Sequence, residues 1–278
     1  MIIRKRNLIA SMIKNASVTS KIIFFNVVVF IVLYFLGLMF PVTDYLALVP
    51  EKIIHGSYLW TLVTSIFVHA GFAHLFFNMF SLFFIGSFVE RIVGRKRFVW
   101  FYLIAGIVGG IFFALLAGFF GFGVLEGVFG SPDVGGVGAS GAIFGLLGIL
   151  AVILPRGKVY LIGGPLIAIV VQAVLGMIFP NSAFIGIISF IATVYILVSI
   201  FAIFSFNTRM RKLAVPIEMP FWLLPFVAIV PLILVGLFVS LPIGNMAHLG
   251  GLLAGVGYGL CLRSRYGKKV KMLNRAYG

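Results

Sequence analysis

The chain has 278 residues, of which 62% are hydrophobic and only 10% charged, and its mean hydropathy is +1.23. No soluble domain hides that much apolar surface, so the composition specifies a polytopic membrane protein and excludes a soluble enzyme or binding module. The formal net charge of +15 does not point to nucleic acid, because the basic residues lie at the two ends and between apolar runs, the distribution of the positive-inside rule.

Residues 1–21 form a basic tail carrying Arg4, Lys5, Arg6, Lys14 and Lys21. The run 22–40 is too long for the apolar core of a signal peptide and has no clear small-residue cleavage site, so it predicts an uncleaved first transmembrane helix. Residues 41–72, broken by Pro41, Asp44, Pro50, Glu51, Gly56 and Trp60, predict a partly embedded outer loop with short helices. Further spans are expected at 73–90, 98–121, 138–155, 159–179, 183–206, 221–241 and 245–262. Glycine-rich 123–137 reads as a loop and 263–278 as a second basic tail. The lone Cys261 excludes an intrachain disulfide framework and reads as a small hydrophobe near a helix end.

Eight alternating spans place 20 of the 21 Lys and Arg residues on one side, leaving only Lys52 opposite. Both termini are therefore expected to be cytoplasmic, with loops 41–72 and 123–137 facing outward. An integral, multi-pass protein of the plasma membrane of a prokaryote is the expected setting. Removing one span would break the alternation, whereas removing the pair 159–206 would not.

This topology sets depths. Ser140 precedes Pro155 by 15 residues and His248 precedes Leu262 by 14. At a rise of about 1.5 Å per residue, both lie roughly 21–23 Å above their cytoplasmic helix ends, and His74 and Asn78 fall at roughly 18–24 Å. Four polar side chains at one level of the outer membrane half are costly unless they meet.

Ser140 lies in Gly138-Ala139-Ser140-Gly141, and Gly141 with Gly145 forms a small-x-x-x-small face. By itself this stretch reads as helix packing. His248 changes the reading, because neutral imidazole is the usual base for a serine nucleophile, and Ala247, Gly251 and Gly255 offer a matching small face. A histidine bonded only to a neighbouring helix is the plainer alternative. The six acids all fall in loops or at helix ends, so the pattern fits a dyad rather than a triad. His74 and Asn78, four apart, share a helix face and can both donate to a developing oxyanion. His69 lies just outside that helix and could tie down the outer loop. His69 and His74 lack a carboxylate or thiolate at matching depth, so no metal is expected.

Taken together, H-x4-H-x3-N at His69, His74 and Asn78, the Gly138–Gly141 stretch, and Ala247-His248-x-x-Gly251-x-x-x-Gly255 resemble the rhomboid intramembrane serine proteases over roughly residues 22–262. Glu90-Arg91 with Gly94 resembles the end of that family's second helix. The resemblance implies an all-α membrane domain with a six-helix core. It implies Ser140 as nucleophile, His248 as general base, and His74, Asn78 and the Ser140 backbone N–H as oxyanion hole. It also implies that His69 braces the first outer loop, that Phe144 stands where some members stack a tyrosine on the histidine, and that no cofactor is needed.

Two departures stand out. Residues 159–206 read as an inserted hairpin, peripheral and without catalytic groups, and Pro216–Leu241 resembles the core fifth helix. The outer loop has no recognisable Trp-Arg pair. The implied function is cleavage of transmembrane protein substrates in the lipid bilayer, at a helix end with small residues that unwinds easily. No nucleic acid is implied, and oligomeric state is not legible. A non-proteolytic rhomboid-like protein that binds membrane clients, and a transporter or channel, are the alternatives. The retained Ser140 and His248 argue against the first, and the absence of a continuous polar stripe argues against the second.

Overall fold

A computed structural model of the chain describes residues 16–179, 182–203, 208–237 and 244–277. The expected helical membrane architecture is present. Among the described residues, four helices are long and apolar enough to cross a membrane, at Val18–Gly37, Phe72–Val93, Arg95–Phe120 and Phe184–Ala202. The chain falls into two compact units, one made of the described residues up to Arg156 together with those from Phe221 on, the other Gly157–Pro220.

In the larger unit, α1 (Val18–Gly37) begins four residues earlier than the apolar run predicts, inside the segment expected to be tail. Two caps explain the early start. The Ser17 hydroxyl accepts the Ser20 N–H at 3.1 Å. The Glu90 carboxylate, which is 6% exposed, accepts the N–H groups of Val18 and Thr19 at 2.9 and 2.8 Å and the Thr19 hydroxyl at 2.7 Å. The first three amides of the helix, which have no intrahelical acceptor, are thus all satisfied, and a negative charge sits at the positive end of the helix dipole. Arg95 lies 3.7 Å from the same carboxylate.

The segment that follows contains α2 (Pro50–Ile54) and α3 (Thr61–Thr64). The predicted span 73–90 is α4 (Phe72–Ser81), a π-helical turn at Leu82–Gly86, and α5 (Ser87–Val93). The wider turn re-phases the helix between the Asn78 face and the Glu90 face. Then come α6 (Arg95–Phe120), α7 (Glu126–Phe129) in the glycine-rich loop, and α8 (Ser140–Ile153). The core is built where α6, α8 and α13 (Asn245–Arg265) pack, around fully buried Phe98, Tyr102, Leu146, Ile149 and Leu150.

Three expectations need correction. The segment 159–179 does not start as a helix. Lys158–Ile162 is strand β1, followed by α9 (Gly163–Ile178). After α10 (Ala183–Ile203) and α11 (Thr208–Lys212), Pro216–Pro220 is β2, antiparallel to β1 with Tyr160 opposite Glu218. Among the described residues, a largely helical chain therefore carries one two-stranded ribbon. Its exposed face is held by Lys158 and Tyr160, which reach the Glu218 carboxylate at 2.7 and 2.9 Å. The expected span 221–241 is helical only as α12 (Leu224–Gly236) among its described residues, and its last expected residues, 238–241, lie outside them.

The third correction concerns 263–278, which is not merely a tail. Arg263 and Arg265 end α13, and Gly267–Tyr277 is α14. Val270 is its buried contact, the Asn274 amide donates to the Ile153 carbonyl at 2.7 Å, and Tyr277 meets Phe88 edge-on. That bond satisfies one of the four carbonyls left open at the end of α8.

The Glu90 cap yields a stability prediction. Glu90→Ala leaves one buried amide, one half-buried amide and a hydroxyl without an acceptor and should lower stability by about 3 kcal/mol, while Thr19→Val should cost about 1 kcal/mol. Thermal unfolding in detergent measures both. An unchanged midpoint for Glu90→Ala would show that the cap is dispensable.

Candidate active site

Ser140 is the first residue of α8, so its N–H and those of Gly141 and Ala142 precede the first intrahelical bond, which runs from Ile143 N–H to the Ala139 carbonyl at 3.0 Å. These amides carry the partial positive charge of the helix end. α13 likewise opens just before His248, whose N–H donates to the Gly244 carbonyl at 3.1 Å. Two helix starts are thereby brought level, and His248 Nε2 lies 2.8 Å from Ser140 Oγ. The Phe144 ring stacks on the imidazole with centroids 4.4 Å apart and planes at 17°. His248 is 7% exposed.

Glycine makes this approach possible. A Cβ on Gly251 would strike the Gly141 carbonyl oxygen, and one on Gly255 the Gly145 carbonyl oxygen. On α6, a Cβ on Gly109 would come within 2.7 Å of the Ala247 carbonyl. The small faces read from the sequence do meet, backbone against backbone.

The second group stands on α4. Asn78 is buried and uses one N–H on the His74 carbonyl at 2.9 Å, leaving its other N–H free of that bond. His74 Nδ1 accepts a long bond, 3.4 Å, from Ala70 N–H, which assigns the ring proton to Nε2. The same ring lies against Gly138, where a Cβ would meet Nε2 and Cε1 at 2.8 Å. Gly138 has φ +124°, a conformation that disfavours any side chain, so this position needs glycine twice over. His69 is 5% exposed and packs edge-on to His74 with centroids 5.2 Å apart. Burial, helped by neighbouring His74, lowers its pKa to about 4, so His69 is neutral at pH 7.

Ser140, His248, His74, Asn78 and Gly138 share one cavity of about 660 Å³. Among the described residues no cluster of three or more His, Cys, Asp or Glu could hold a metal ion.

Sequence reasoning missed the residues that hold the loops over this cavity. Leu48 and Gly136 exchange backbone bonds at 3.0 and 2.8 Å, Gly138 N–H donates to the Ser65 carbonyl at 2.8 Å, and Glu51 N–H donates to the Pro132 carbonyl at 3.0 Å. Trp60 Nε1 donates to the Tyr45 carbonyl at 2.9 Å, and Tyr58 is sandwiched by Trp60 and the Lys52 ammonium. No periodicity marks such pairs, because they join loops about 70–90 residues apart or turn within one loop.

Residues 56–195 and 192–265 match the sequence model of the Rhomboid domain. The chain is similar to YdcA of Bacillus subtilis, 43% identical over 90 residues that make up 32% of this chain and 39% of YdcA. It is similar to rhomboid protease GluP of the same organism, 40% identical over 115 residues, 40% of this chain and 20% of GluP. RHOMBOID-like protein 1 of Arabidopsis thaliana is 36% identical over 115 residues, 41% of this chain and 26% of that protein. The matched stretches thus span two fifths or less of these relatives' own lengths.

The glycine contact predicts a mutational asymmetry. Gly251→Val should push α13 off α8 and slow labelling of Ser140 by a fluorophosphonate by about 100-fold, the cost of misplacing a reacting pair by about 1 Å. Gly257→Ala, which faces open space, should label at the parent rate. Normal labelling of Gly251→Val would show that the backbone contact does not set the Ser140–His248 geometry.

Proposed function

The chain belongs to the rhomboid family, whose domain model covers most of its length, and from that premise we propose that it is an intramembrane serine endopeptidase working through a Ser140–His248 dyad. The observation that carries this reading is the 2.8 Å approach of His248 Nε2 to Ser140 Oγ at the start of a helix. In the proposed reaction, neutral His248 accepts the Ser140 proton at Nε2 as Oγ attacks the scissile carbonyl. The resulting oxyanion is held by the Ser140 N–H, the His74 Nε2–H and the free Asn78 N–H. His248 then returns the proton to the leaving amine. Water, activated by the same imidazole, hydrolyses the acyl-enzyme and frees Ser140.

The dyad lies at a helix mouth beside a cavity, and the substrate must enter as extended chain. Substrates are therefore transmembrane segments of other membrane proteins that unwind readily near small residues. The protein is an integral membrane protein. Cytoplasmic termini and a prokaryotic plasma membrane complete the proposal, supported by the placement of 20 of 21 basic residues. The chemistry calls for no cofactor.

Ser140→Ala, His248→Ala and the double variant should lose similar activity toward a transmembrane peptide substrate, because the pair acts as one unit. Persistent turnover by His248→Ala would remove it as the base. Loss of fluorophosphonate labelling in Ser140→Ala should accompany the loss of turnover. A wild-type protein that is folded yet unlabelled would favour a client-binding role without proteolysis.

Asn78→Ala should reduce kcat by about 10²–10³ with KM little changed, the effect of losing one oxyanion donor. Steady-state kinetics beside a thermal melt separates this from a folding defect. Normal kcat with a collapsed melt would make Asn78 structural.

A further inference from the structure

A neutral His248 that accepts the Ser140 proton at Nε2 must carry its own proton at Nδ1. In the structure His248 Nδ1 is buried without a hydrogen-bond partner among the described residues. A buried donor left in that state is costly, and such a group calls for an explanation. One turn earlier on the same helix, Asn245 is 3% exposed, and its Oδ1 is also buried without a partner. Residues three apart on a helix are neighbours, and side chains lean toward the helix start, so the His248 ring lies over the Asn245 turn. One atom is a donor in need of an acceptor, and the other is an acceptor in need of a donor. His248 lines the cavity that Ser140 shares, and Asn245 is not among its lining residues.

We infer that Asn245 is a positioning residue whose Oδ1 accepts the His248 Nδ1–H through one buried water, and so fixes the tautomer with Nε2 free to take the Ser140 proton. The inference rests on the dyad reading. It gives the dyad the third, orienting member that the carboxylate of a serine–histidine–aspartate triad supplies elsewhere, in an uncharged form suited to a low-dielectric site. Phe144 restrains the ring from its face, while Asn245 would fix its rotation about its own axis. Across the cavity the ionisable groups that line it with His248 are His74 and Glu126, and neither is altered in the test below.

The test is the pH dependence of fluorophosphonate labelling of Ser140 in the full chain in detergent. Labelling should fall on the acid side as His248 becomes imidazolium. An acceptor at Nδ1 favours the imidazolium, so Asn245→Ala should label roughly 10-fold more slowly and move the acid limb to lower pH by about half a unit or more. Asn245→Asp places a carboxylate there and should move the limb to higher pH. Asn245→Ser, which keeps a small acceptor, should recover part of the rate. A residue that only packs would change amplitude or melting temperature and leave the limb in place. An unmoved limb in the variants that fold, with wild-type Ser140 still labelled, overturns the Asn245 assignment alone. Absence of Ser140-dependent labelling in the wild type would instead overturn the dyad.

Discussion

The approach of His248 to Ser140 depends on two helix backbones touching without side chains between them. In a bilayer, lipid tails are as apolar as leucine, so nothing like the hydrophobic effect drives α8 onto α13. What holds them is close van der Waals packing, which small residues allow, with Cα–H groups facing carbonyls. Gly141, Gly145 and Gly148 meet Gly251, Gly255 and the backbone of Leu252 along the whole contact. α6 joins through Gly109 against Ala247 and through Gly250 against Phe112. Because the contact repeats every turn, the two helices can neither slide nor rotate without a clash. Their first residues, where Ser140 and His248 stand, inherit that fixed register.

The loops above face a different constraint. Irregular backbone at membrane depth survives only where its polar groups are satisfied or line a wet cavity. Here the glycine-rich segment meets the segment between α1 and α4 through the Leu48–Gly136 pair, and through the Gly138 N–H on the Ser65 carbonyl. Phe113 from α6 packs under Gly130 and Gly136, where a Cβ on either would strike its ring. The bond to Ser65 also holds Gly138 in the positive-φ conformation that clears room for His74. The same loop arrangement thus satisfies its own backbone and brings the His74 ring to the serine. A buried N–H that finds its acceptor and an imidazole held beside Ser140 are two consequences of one geometry.

The parts legible in the sequence share a physical basis. Ser140, His248, His74 and Asn78 are polar residues stranded in apolar runs, and helical rise alone predicts their common depth. The glycine faces announce themselves through their four-residue spacing. Glu90 was readable only as a helix end, because its partners Val18 and Thr19 lie about 70 residues away and carry no special signal. That pairing also hid the true start of α1, since hydropathy follows apolar residues and ignores caps. The β1–β2 ribbon was hidden because the four apolar residues Val159–Ile162 after Lys158 read equally well as the beginning of a span. α14 was masked by its charge, although Val270, Leu273, Asn274 and Tyr277 recur at helical spacing.

The point where the chain leaves and rejoins the larger unit explains how a long insertion leaves the site intact. Trp222 N–H donates to the Pro155 carbonyl at 3.3 Å, so the residues flanking Gly157–Pro220 are backbone neighbours within that unit. Pro155 follows the last turn of the Ser140 helix, and Trp222 precedes α12. The larger unit is therefore hydrogen-bonded to itself across the point where the chain leaves it and returns. Within the smaller unit, β1 and β2 pair at the two ends of the inserted chain, and Tyr195 of α10 donates to the Leu213 carbonyl. The smaller unit thus gathers its own ends. An insertion tied off in this way can vary in length and sequence while α13 still enters from the same side and presents His248 to Ser140.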